Sequence, residues 1–262
     1  MTKFQEVFKD EKVILGMVHL PPLPGSAGFD GDMEKVYASA LADAKALEEG
    51  GVTALVVENA GDAPFGKELS LSQSTALAAV ASYVKAHVNI PIGIVATFCD
   101  YKAAIACAKA ARADFVRLAV FVDTVACFAG ILEPCCAQAM KYRKAIQAEE
   151  LIIFADIQVK YTHMTIPSIT LEESAQVAEV SGADAIIVTG THTGVETPME
   201  SLERVKAVVG CPVIIGSGAN ESNIKKQMKV ADGAIVGSSL KMEDKITNPV
   251  DVNKVKKLIE SM

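Results

Sequence analysis

Eight short apolar runs, each followed by a longer segment of helical period, predict a closed (β/α)8 TIM barrel. Runs that are apolar on both faces belong in a parallel sheet covered by helices on both sides. Units of this kind occupy the whole 262-residue chain, with no linker-like or low-complexity segment between them, so residues 1–262 read as one domain. An open doubly wound sheet is the competing arrangement. It is disfavoured because no glycine fingerprint follows the first run and no G-x-x-x-x-G-K-[ST] loop occurs.

The expected strands are 13–19, 53–58, 91–96, 114–120, 151–157, 184–189, 212–215 and 234–236. The first ends on His19 and runs into "LPPLPG", where Pro21, Pro22 and Pro24 fix φ and carry no N–H to leave unpaired. Next comes a helix whose apolar face is Met33, Val36, Tyr37, Ala40, Leu41, Ala44 and Leu47; Asp32 suits its N-cap and Gly50–Gly51 its end. The tetrads at 170–173 and 197–200 both read T-x-x-E, the pattern of a capping box, with Pro198 at the first helical position of the second. Residues 249–262 supply a last helix, opened by Pro249.

The formal charge of −7 argues against a nucleic-acid surface, which needs a basic face. A phosphorylated small molecule remains a suitable partner, because backbone amides hold phosphate without net positive charge. The six cysteines form no C-x-x-C pair and read as buried thiols of a reducing compartment. The charged segment "MTKFQEVFKDEK" is not a signal peptide, and no apolar run is long enough to span a bilayer. The expectation is a cytoplasmic protein, with homo-oligomerisation left open.

In a parallel barrel the strand ends converge on one rim, which carries the active site. The polar residues of this chain collect there: His19, then Glu58, Asn59 and Asp62, then Asp100, Arg117, Asp156, Lys160 and His163, then Thr189, Thr191, His192 and Thr193. Glu58 and Asp156 end apolar runs, where partial loss of water makes a carboxylate a better base; each could equally pair with Arg117. Lys160 suits neutralising an enolate, gripping a phosphate or forming a Schiff base. Arg117, the threonines and the remaining polar groups are expected to bind substrate. A divalent metal is the one cofactor left open, with His19, Glu58, Asp156, His163 and His192 as donors from different strands. The stretches "IIGSGANESN" and "ADGAIVGSSLK" follow the last two strands. Gly216, Ser217, Gly218, Gly237, Ser238 and Ser239 are there expected to bind phosphate through amides and hydroxyls. The second stretch resembles the phosphate loop of the tryptophan synthase α-chain.

Seven pieces in order, "HLPPLPG", "VENAGDAPF", "FVRL", "ADIQVKYTH", "VTGTHTG", "IGSGANESNI" and "ADGAIVGSSLK", resemble the BtpA/SgcQ family along nearly the whole chain. That family is named for a photosystem I biogenesis factor and for proteins of sugar-utilisation operons. The resemblance implies a TIM barrel and leaves the chemistry loosely defined. The chain departs from the family's pattern at Val95, Phe98 and Cys99, where polar residues are expected and only Asp100 is kept, and at Ala119, where an asparagine is expected.

Together these features suggest an enzyme acting on a phosphorylated sugar or related small phosphate ester. Isomerase, epimerase, aldolase or lyase chemistry would be carried by Glu58, Asp156 and Lys160. Glycoside hydrolysis by the two carboxylates is a weaker fit. The alternative is a non-catalytic factor assisting biogenesis of a membrane complex, which would need an exposed apolar or basic amphipathic docking face.

Overall fold

The computed structural model describes residues 2–9 and 12–262. Eight strands form the barrel: β1 Val13–His19, β2 Ala54–Glu58, β3 Ile92–Val95, β4 Phe115–Leu118, β5 Ile152–Asp156, β6 Ala185–Val188, β7 Val213–Ile215 and β8 Gly233–Val236. Each lies parallel to the next, and β8 returns to β1 with Val13 opposite Gly233 and Gly16 opposite Val236. The (β/α)8 TIM barrel is therefore the fold, and no strand end differs from its expected place by more than two residues.

Side chains of these strands alternate between two cores, as the two-residue period of a strand requires. Ile14, Val18, Leu55, Val57, Ile94, Val116, Ile153, Ile186 and Ile215 point outward into the helices. Leu15, Met17, Val56, Phe115, Phe154, Ile187, Ile214 and Ile235 fill the interior. The helix Met33–Gly50 presents Val36, Ala40, Ala44 and Leu47 to the outer core. Asp32 accepts from the amides of Glu34 and Lys35 at its start, and Gly51 takes a left-handed φ of 94° at its end.

Where the strands begin, the barrel is closed with hydrocarbon. The helix Lys3–Phe8 brings Phe4 against Phe154, with centroids 5.8 Å apart, and Phe8 against Phe115 at 5.9 Å. Phe115 and Phe154 stack at 4.8 Å. The Phe115 ring lies so close to Gly93 that a Cβ there would sit 2.0 Å from it, so no other residue fits without displacing the ring.

Three local features differ from the sequence reading. The loops after β4 and β5 form a small antiparallel sheet, with Val125–Cys127 between Gly130–Leu132 and His163–Met164. The box at 170–173 is formed, Thr170 and Glu173 capping each other's amides, but the tetrad at 197–200 is not one. Thr197 is buried and its hydroxyl donates to the carbonyls of Val188 and Ser217, so the helix Met199–Lys206 starts after an N-cap at Pro198. The last helix runs Val252–Glu260 with Asp251 as its cap, because Val250 is held in a bridge to Lys241 rather than in the helix. All six cysteines are free thiols, and among the described residues no helix is long and apolar enough to cross a membrane.

Candidate active site

The inward columns continue one step beyond the interior core. Two residues past Met17, Val56, Val95, Phe154 and Ile187 stand His19, Glu58, Thr97, Asp156 and Thr189, and Arg117 stands two past Phe115. On β7 and β8 the same step from Ile214 and Ile235 reaches Gly216 and Gly237. Side chains therefore stand in the upper layer on six strands, while on β7 and β8 bare backbone lines it. Above this layer opens a cavity of about 580 Å³, lined by His19, Glu58, Thr97, Arg117, Lys160, Thr193, Gly216, Ser217, Gly218, Gly237, Ser238 and Ser239 among others.

Its floor is ionic. Arg117 donates from Nε and Nη2 to the two carboxylate oxygens of Asp156, each at 2.8 Å, and Asp156 is fully buried beneath. Burial opposes the guanidinium charge, but Asp156 outweighs it and holds the Arg117 pKa above its ordinary value. Lys160 is brought to the cavity by Thr189, whose Oγ1 accepts from the Lys160 amide at 3.0 Å. Burial first, and repulsion from Arg117 second, lower the Lys160 ammonium pKa to about 8. Glu58 accepts from Thr97 Oγ1 at 2.9 Å, while the Glu58 side chain keeps 20% exposure to the cavity.

His19 stands against β8. A Cβ at Gly237 would lie 3.0 Å from His19 Cε1, so a glycine there leaves the ring its place. Burial lowers the His19 pKa to about 4, with Glu58 acting in the opposite direction. The imidazole is therefore neutral near pH 7, and its 3.9 Å approach to Glu58 is not an ion pair under those conditions. His19 Nδ1 is buried without a hydrogen-bond partner among the described residues.

The loops after β7 and β8 face the same cavity. Gly218, at φ +72°, packs so tightly that a Cβ would lie 2.3 Å from the backbone of Val195 and Glu196. Ser217 Oγ accepts from the Gly190 amide at 2.8 Å and donates to Val195 O at 3.0 Å, and Ser239 Oγ donates to Ala219 O at 2.8 Å. Those two hydroxyls brace the loops, which leaves Ser238 as the serine turned free. A single turn, Ser238–Leu240, follows β8, and its leading amides have no partner within it. Lys241 anchors this turn from behind through a buried ion pair with Asp43 on the helix Met33–Gly50.

Several expected site residues do not reach the cavity. Asp62 is buried and accepts from the Leu23 amide at 2.7 Å, Asn59 Nδ2 at 2.9 Å and Gln73 Nε2 at 3.0 Å, which ties down the proline loop. Asn59 Oδ1 accepts from the Thr97 amide at 2.8 Å. Asp100 caps the helix Tyr101–Ala111 and accepts from the Leu69 amide at 2.9 Å. His163 and His192 are exposed beside a neighbouring groove, His192 edge-on to Tyr161 at 5.4 Å. The five expected metal donors are thus dispersed: His19 and Glu58 line the cavity, Asp156 is buried beneath it on Arg117, and His163 and His192 lie outside it. Among the described residues no three His, Cys, Asp or Glu side chains are grouped to hold an ion.

Aromatic residues line the remaining wall: Phe98, one of the departures from the family's pattern, with Phe65 and Phe128, which the sequence reading did not single out. Of the departures from the family's pattern, Val95, Phe98 and Ala119 line the cavity; Cys99 lies outside it and accepts from the Val120 amide. Phe128 arrives on the short antiparallel sheet. Its sequence signal was Gly130 between two brief β-prone pieces, a hairpin cue.

Solved structures with this fold include (S)-3-O-geranylgeranylglyceryl phosphate synthase from Thermoplasma acidophilum, in complex with sn-glycerol-1-phosphate (TM-score 0.62, 16% identity, 100% of this chain and 98% of that one). An archaeal fructose 1,6-bisphosphate aldolase superposes with a TM-score of 0.58 at 15% identity, covering 99% and 97% of the two chains. An uncharacterized protein of Archaeoglobus fulgidus is 40% identical over 251 residues, covering 96% of this chain and 98% of its own. The photosystem I biogenesis protein BtpA of Synechocystis is 34% identical over 260 residues, covering 98% and 90%. The model of the BtpA family matches residues 10–262, and the chain belongs to that family.

Proposed function

We propose that this chain is an enzyme acting on a small phosphate ester, by proton transfer beside a carbonyl at the open end of the barrel. The observation that carries the reading is one cavity joining Glu58 and Lys160 to the glycine- and serine-bearing loops after β7 and β8. Structural neighbours whose substrates are phosphorylated support the class, though at their low identity they speak for fold.

In this reading the phosphate rests on the amides of Gly218, Gly237 and Ser238, with the Ser238 hydroxyl added. Glu58 takes the proton, since it is a carboxylate open to the cavity. Lys160 and Arg117 supply positive charge where an enolate would form, with Asp156 holding Arg117 in place rather than touching substrate. Above pH 8 the Lys160 amine is largely uncharged, the form that a Schiff-base aldolase or lyase would use. His19 and Thr193 border the substrate.

The test is a thermal-shift and turnover screen with sugar phosphates and other phosphate esters, with and without divalent metals. Binding of phosphate, with turnover lowered about 100-fold or more by Glu58→Gln, is the expected result. An unchanged melting temperature with free phosphate and every ester would sink the phosphate reading, and a Lys160→Ala variant with full turnover would remove the lysine from the chemistry.

The name of the Synechocystis relative supports a second reading, an assembly factor. Phe128, Ile131 and Ile166 are each more than half exposed around the small antiparallel sheet, an apolar surface of the kind docking needs. An Ile131→Ser/Ile166→Ser variant should keep turnover if the protein is an enzyme alone, and lose its biological effect if docking is the function.

A further inference from the structure

Barrel order fixes which walls face each other. In the sequence of neighbours β1 to β8, the pair β7 and β8 lies across the barrel from β3 and β4, with β1 and β2 on one flank and β5 and β6 on the other. A ligand anchored on the loops after β7 and β8 therefore extends toward β3 and β4, passing between Glu58 on one flank and Lys160 on the other.

The wall it meets there is hydrocarbon. The polar groups of Thr97 and Arg117 are turned to Glu58 and Asp156. Around them Val95, Phe98, Ala119 and Val159 are each no more than 9% exposed and offer no side-chain donor or acceptor. Phe128 stands edge-on to Phe98 with centroids 5.4 Å apart, and 6.3 Å from Phe65, yet remains 60% exposed at the mouth. A sugar hydroxyl pressed against this wall would lose water and gain no partner there. A ring or branched alkyl group would cover the open face of Phe128 and shed its own hydration.

We infer that the substrate is a phosphate ester whose far end is apolar, an aromatic ring or branched hydrocarbon seated among Phe65, Phe98 and Phe128, rather than a polyhydroxylated chain. This rests on the phosphate reading above and names the class of ester. The reacting carbon then lies midway, beside Glu58 and Lys160, where two anchored ends hold it.

Isothermal titration of the full chain with inorganic phosphate, ribose 5-phosphate, 2-phenylethyl phosphate and 2-phenylethanol tests it. The expected result is that 2-phenylethyl phosphate binds about tenfold or more tighter than inorganic phosphate, the scale a few buried carbons supply. Ribose 5-phosphate should bind no tighter than inorganic phosphate. Phe128→Ser should erase the gain without changing the affinity for inorganic phosphate; Phe128 is exposed, so this variant keeps the fold. Phe98→Asn should act the same way and raise the relative affinity for ribose 5-phosphate. Tighter binding of ribose 5-phosphate than of 2-phenylethyl phosphate overturns the inference, as does a gain undiminished in both variants. If 2-phenylethanol binds in a Phe128-dependent way while no phosphate compound does, the apolar seat stands and the phosphate reading falls. Binding by none of the four overturns both.

Discussion

Two ends of one barrel are built from the same inward columns and filled in opposite ways. Where the strands begin, the rings of Phe4, Phe8, Phe115 and Phe154 pack together in an apolar plug. A step of two residues along β4 or β5, about 6.6 Å, replaces Phe115 with Arg117 and Phe154 with Asp156. In the upper layer burial is the leading influence on both His19 and Lys160 and pushes both pKa values down. The closed end serves stability, and the open end gathers the charged groups.

If that division holds, substitutions at the two ends should separate stability from turnover. Arg117→Met should do the most, leaving Asp156 charged and buried without its partner. A loss of about 3–5 kcal/mol in urea denaturation is expected, together with turnover. Phe8→Ala, at the closed end, should lower stability by about 3 kcal/mol while turnover per folded molecule stays unchanged. Loss of turnover there would show that the ends are not independent.

Acid should weaken the fold through His19. Between its ordinary pKa of 6.5 and its folded value of about 4, the unfolded chain holds a proton that the folded chain does not. Stability therefore falls as pH drops through that window, by an amount on the order of 3 kcal/mol, and His19→Gln should flatten the decline in denaturation midpoints. Lys160 tilts the balance in the same sense on the alkaline side. From about pH 8 to 10.5 the unfolded lysine carries more proton than the folded one, so stability there rises with pH. The smallest effect should come from Thr170→Ala, far from either end. Loss of its capping box should cost about 1 kcal/mol in the melting curve, with kcat unmoved.

Much of this arrangement can be read directly from residue order, and the reason is the two-residue period. His19 follows Met17, Glu58 follows Val56 and Asp156 follows Phe154 on the same face, so a strand that buries one presents the other to the rim. Asn59 breaks that parity, and its side chain indeed turns to Thr97 and Asp62. Asp62, Asp100, His163 and His192 stand beyond strand ends, where no periodicity fixes direction. Local needs decide there: a proline loop to hold, a helix to cap, a small sheet to pair. Phe128 was hidden for a related reason, since strands of three residues carry too little pattern to announce themselves. At Gly216 and Gly218 tight packing of the chain demands glycine whether or not a ligand binds, and residue order alone does not show that packing.

The seat of His19 has a consequence for a growing chain. Glu58 reaches it from β2, early in synthesis, but the groove that Gly237 leaves for its ring comes only with β8, the last strand to be made. Until Gly233–Val236 pairs with β1, the histidine has no far wall, its shielding from water is incomplete, and the serine turn beside it does not exist. A nascent or clipped copy lacking that strand holds Glu58 and Lys160 in an unclosed sheet. Without that strand the cavity is incomplete, since Gly237, Ser238 and Ser239 form part of its wall.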